Sequence, residues 1–72
     1  MEIKVGEKKF VIRELLAREV DDIDFNDKKN AIKKQIILST GISENEYNEL
    51  TLKERLAIFK AINEINGLAD FQ

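Results

Sequence analysis

The densest group of residues able to do chemistry is Asp22-Ile23-Asp24-Phe25-Asn26-Asp27. Acid or amide side chains at alternate positions are the opening ligands of an EF-hand calcium loop. That loop also needs a glycine at its sixth position and a bidentate glutamate at its twelfth. Asp27 and Lys33 stand there instead. The acids therefore read as helix caps and first-turn charges favoured by the helix dipole, and no metal is expected. Ser39, Thr40, Ser43 and Thr51 are the candidate hydroxyl nucleophiles, but the chain has no histidine to activate them. The absence of cysteine removes thiol chemistry, disulfides and zinc sites. Carboxylate pairs such as Glu46 and Glu49 belong to a solvated helix face, where nothing raises a pKa. No glycine-rich phosphate loop is present. No catalytic residue and no cofactor is expected. What remains is a binding module rather than an enzyme.

Charge points the same way. Lys28, Lys29, Lys33 and Lys34 form a basic cluster, but no aromatic residue interleaves with them to stack bases. They read as solvated, snorkelling stems. With a net charge of −2 and interleaved signs, the chain lacks a nucleic-acid footprint. No apolar run reaches the length of a membrane span and the first residues do not resemble a signal peptide, so a cytoplasmic location without membrane contact is expected.

The elements that would position these residues follow from spacing. A chain of 72 residues makes one domain, 1–72, near the lower limit for folding without staples. Residues 2–13 predict a β-hairpin, with Ile3 and Val5 on one arm and Phe10 and Ile12 on the other, all facing one side. Pairing Val5 with Phe10 and Ile3 with Ile12 across a loop at Gly6–Lys9 also sets Glu2 opposite Arg13. Residues 14–24 predict a helix with Leu16, Val20 and Ile23 on one face and Leu15 beside it. Residues 27–40 predict a helix packing through Ala31, Ile32, Ile36, Ile37 and Leu38, with Phe25 on the same side.

Gly41 then predicts a left-handed stop, with Ile42 folding back onto Ile37. Ser43 and Glu46 have capping-box spacing, and Tyr47 stands where a hydrophobic staple to Ile42 would form. A short helix over 44–50 turns Tyr47 and Leu50 inward. Thr51 and Glu54 repeat the box before a helix over 52–66, closed by Asn66-Gly67. That last helix has two apolar stripes: Leu52, Leu56, Phe59 and Ile62, and beside it Ile58, Ala61 and Ile65. Either it is wedged centrally against hairpin and helices, or the second stripe is a partner surface. Small size favours the central position. The fold class expected is α+β, mainly α, an N-terminal hairpin packed on three to four helices.

The order of elements, with Arg13-Glu14-Leu15 after the hairpin, STGISENEYNELTLKE in the middle and AINEINGL near the end, resembles the tail assembly chaperones of tailed phages and prophages. The positions that carry the resemblance are Thr40, Gly41, Ile42, Ser43, Glu46, Tyr47 and Leu50, then Ala61, Ile62, Glu64, Ile65 and Gly67. Lys53-Glu54-Arg55 departs from the acidic-aromatic pair of the family pattern. The resemblance implies a non-enzymatic assembly factor of the host cytoplasm that sheathes the tape measure protein and helps deliver tail tube protein. On that reading Ile58, Ala61, Ile65 and Phe71 are the partner-binding residues, by helix-in-groove contacts, and homo-oligomer formation stays open. Two other classes stay open as well. One is a small regulatory or nucleic-acid-binding protein whose Gly41 corner is a helix-turn-helix. The other is a generic protein-interaction adaptor. Against the first, Glu44, Glu46 and Glu49 would repel phosphates.

Overall fold

The structure, a computed structural model, describes residues 1–67. Strands β1 (Glu2–Val5) and β2 (Lys8–Val11) form an antiparallel hairpin, followed by helices α1 (Ala17–Asp21), α2 (Lys28–Thr40), α3 (Glu44–Asn48) and α4 (Leu52–Ile65). The fold is α+β and mainly α, as the spacing predicts.

The hairpin forms where alternation places it, but in another register. Ile3 pairs with Phe10 and Val5 with Lys8, two residues from the pairing that apolar matching selects. Met1 and Ile12 exchange hydrogen bonds beyond the last strand pair, Ile12 N–H donating at 2.6 Å and the Met1 ammonium at 2.9 Å. A two-residue slip leaves every side chain on its face, so burial cannot tell the registers apart. The turn decides. Gly6 takes φ 62° at the first position of a two-residue loop, Gly6-Glu7, the tight geometry that matches strand twist. Arg13 therefore does not face Glu2. Its N–H donates to the Ser39 carbonyl at 3.0 Å, and its guanidinium grips Glu19 through two hydrogen bonds of 2.9 and 2.6 Å.

That anchoring shortens the next helix. Residues 14–24 are expected to be helical, yet only Ala17–Asp21 is. The Arg13 amide belongs to Ser39, and the Leu15 amide donates to Asn66 Oδ1 at 3.0 Å. These partners from α2 and the end of α4 hold the segment extended until Leu16. Leu16, expected to face inward, is exposed, whereas Ile23 reaches the interior from beyond the helix end.

The remaining caps match their sequence signals. Asp27 accepts from the Asn30 amide at the start of α2, and Gly41 ends it at φ 74°. Ser43–Glu46 and Thr51–Glu54 both close reciprocal boxes. The core lies where hairpin, α2 and α4 meet, built from Phe10, Ile12, Ile36, Ile58, Ala61 and Ile62. Ile42, Tyr47 and Leu50 pack against it from the corner around α3.

Candidate partner-binding surface

Helix α4 is the longest element, and its rotation about its own axis determines which apolar stripe is offered to solvent. Thr51 accepts from the Glu54 amide at 3.1 Å, and Glu54 Oε1 accepts from the Thr51 amide at 2.8 Å. The other carboxylate oxygen of Glu54 lies 3.3 Å from Lys8 Nζ, next to the hairpin turn, and the Glu54 side chain is only 8% exposed. The backbone hydrogen bond from Thr51 is the largest cause holding the Glu54 carboxyl below the usual carboxylate range; the Lys8 ammonium acts in the same direction. Glu54 thus faces the hairpin, and Ile58, Ala61 and Ile65 follow it along the same side of the helix.

This orientation corrects the assignment of the two stripes. Ile58 and Ala61, expected to meet a partner, are buried in the core at 0% and 4% exposure, and Ile65 is half-buried against it. Phe71 lies outside the described residues. Leu52 and Leu56, expected to be part of the inward stripe, are 62% and 58% exposed. Phe59 is half-buried between them and the interior, and only Ile62 of that stripe is fully buried. Phe25, expected to pack with α2, is exposed. The central position, which small size favours, describes α4: it packs against both the hairpin and α2. Its missed signal is Glu54: a cap residue tied to a neighbouring element fixes the helix face it occupies.

Several of the other candidate residues have structural partners. The Thr40 hydroxyl donates to the Ile36 carbonyl at 2.6 Å, and Ser43 and Thr51 are caps. The Ser39 hydroxyl is buried with no hydrogen-bond partner among the described residues. Asp24 accepts from the Asn26 amide in a local turn, and Asp27 holds Asn30. Among the described residues no three potential metal ligands converge. Of the basic cluster, Lys33 pairs with Glu44, holding that carboxyl below its ordinary range, and lies 5.8 Å from the Tyr47 ring centre. Lys28, Lys29 and Lys34 are exposed. No described helix is long and apolar enough to cross a membrane.

Exposed apolar side chains lie on α4 at Leu52 and Leu56 and just before α2 at Phe25, and elsewhere at Met1, Val11 and Leu16; the first group adjoins Ile32 of α2. The α4 and α2 group forms a contiguous apolar surface, the kind of feature that contacts with other proteins use. Comparison of the chain with protein-family models, with curated proteins and with solved structures returns no match.

Proposed function

We propose that this chain is a non-enzymatic protein-binding factor of the tail assembly chaperone kind, holding the tape measure protein of a tailed phage or prophage and assisting tail tube assembly in the host cytoplasm. The observation that carries the reading is the solvent-facing apolar stripe Leu52–Leu56 on the longest helix of so small a domain. Two leucines one turn apart, each more than half exposed, keep hydration water that burial against a partner would release. A long, helical, apolar-striped protein such as a tape measure is a client that such a surface suits. The resemblance in STGISENEYNEL and AINEINGL supplies the client's identity, and the exposed stripe supplies the means.

Co-expression with the tape measure protein encoded by the neighbouring DNA is the test. Co-purification and a soluble tape measure are expected. A tape measure that stays insoluble, or genes of another pathway on either side, would remove the reading. The helix-turn-helix alternative gains nothing from the geometry, because the helix after the Gly41 corner has five residues and presents Glu44 and Glu46 in its first turn. A mobility-shift assay at low salt is expected to show no complex.

A further inference from the structure

Five surface recesses distribute charge unevenly. Three of them carry at least two carboxylates each: Asp24, Asp27 and Glu44 in one, Glu19 and Asp22 in another, Glu46 and Glu49 in the third. The other two, of about 330 and about 320 Å³, follow one another along α4, the first between α4, α3 and the start of α2, the second between α4 and α2, and have no acid in their linings, although the chain holds 14 acids against 12 bases. Lys29 and Arg55 line the first and Lys28 the second, while Leu52, Ile32, Phe25 and Phe59 give the two an apolar floor. Stepping about 100° per residue around α4, Leu52, Leu56 and Phe59 share one band. Lys53 and Lys60 lie beyond Leu56, about 40–60° further round. The apolar band therefore runs between Lys28, Lys29 and Arg55 on one side and Lys53 and Lys60 on the other, with Glu64 one turn beyond Lys60. None of these five cations is in an ion pair among the described residues.

We infer that the α2–α4 trough receives an amphipathic helix whose apolar stripe is flanked by acidic residues on both sides. A helix is about 10–12 Å across with its side chains, a width suited to a shallow trough closed by side chains from two helices. The cationic rows select the sign of the flanks, since like charges facing each other across an interface cost several kcal/mol. The concavity of the trough disfavours one rival, and the test below decides the other, because Phe25 and Phe59 offer ring faces to bases as well as to a helix. A flat bilayer surface does not follow a trough. The inference rests on the reading of this chain as a protein-binding factor but names a surface and a chemistry independent of any one client.

The test uses two designed, dye-labelled helical peptides with the same leucine stripe, one flanked by glutamate and one by lysine, titrated with the full chain and followed by fluorescence anisotropy. The glutamate-flanked peptide is expected to bind at least about tenfold more tightly, and more weakly as salt rises. The double variant Lys28→Glu, Arg55→Glu is expected to weaken the preference, because Lys29, Lys53 and Lys60 remain against two new carboxylates. Both positions are exposed, and circular dichroism checks that the fold is kept. Equal affinity for the two peptides, no binding of either, or an unchanged preference in a folded double variant would overturn the inference. So would binding to phosphatidylserine vesicles or oligo-dT that the double variant abolishes, or a dimer in sedimentation that Leu56→Glu dissolves. If the tape measure protein co-purifies while the peptides fail, the site is wrong and the chaperone reading stands. If the peptides behave as expected and the tape measure does not bind, the client is wrong and the site stands.

Discussion

Glu54 shows how one side chain organises an interface. Its carboxylate closes the cap of α4 and meets Lys8 from the hairpin while almost wholly buried. Its folded pKa is lowered, first by the Thr51 amide. A group depressed in this way contributes stability above its unfolded pKa of about 4.3, and that contribution is lost as pH falls through the lower folded value. Glu19, held at about 2 chiefly by Arg13, adds to the same limb. Stability is therefore expected to decline from about pH 4.5 downward. Glu54→Gln, which can still accept from the Thr51 amide, is expected to be less stable than wild type at pH 7 and to have a shallower acid limb. Urea denaturation at a series of pH values measures both. Identical slopes would mean that Glu54 titrates alike in the folded and unfolded chains.

At the scale of elements, the corner around α3 is held by local signals. Gly41 stops α2 at φ 74°, and Ser43 and Glu46 satisfy each other's amides before a helix of only five residues. So short a helix cannot persist through its own backbone bonds. Ser43→Ala is expected to cost about 1 kcal/mol, read from the shift of the denaturation midpoint at constant slope. In a double-mutant cycle with Glu46→Ala the two losses should not add, because either change breaks the same box. The hairpin teaches a different lesson. Alternation names the face of Ile3, Val5, Phe10 and Ile12, but face is conserved under a shift of two, and only the Gly6-Glu7 turn fixes which residues are opposite. Helix α1 marks a third case, where hydrogen bonds from Arg13 and Leu15 to distant acceptors override an apolar spacing that reads as helix.

For the whole molecule, the division of α4 into inward and outward stripes separates stability from binding. Ile58 is fully buried and touches the central cluster, so Ile58→Ala is expected to cost about 2–5 kcal/mol. That is a large part of the total for a domain of this size, and thermal unfolding should show it. Leu56→Ala, at an exposed position, is expected to change stability by about 0.5 kcal/mol or less while weakening partner capture. A Leu56→Ala chain as destabilised as Ile58→Ala would place Leu56 in the core and remove the proposed surface.

The sequence by itself determined the element types, the helix starts at Asp27, Ser43 and Thr51, the stops at Gly41 and Gly67, and an apolar-cored α+β domain, because caps, turns and periodicity act within a few residues. It also carried the reason to look for a binding role, through the residue types the chain lacks. Which stripe of α4 faces outward was decided only in three dimensions. Two adjacent stripes of similar hydrophobicity are equivalent along the chain, and the choice came from long-range packing of Ile58, Ala61 and Ile62 against the hairpin and α2, with Lys8 and Glu54, 46 positions apart in sequence and 3.3 Å apart in space, meeting on the same side. The same holds for the acid-free trough, whose cations come from two helices and gather on one side only when those helices pack.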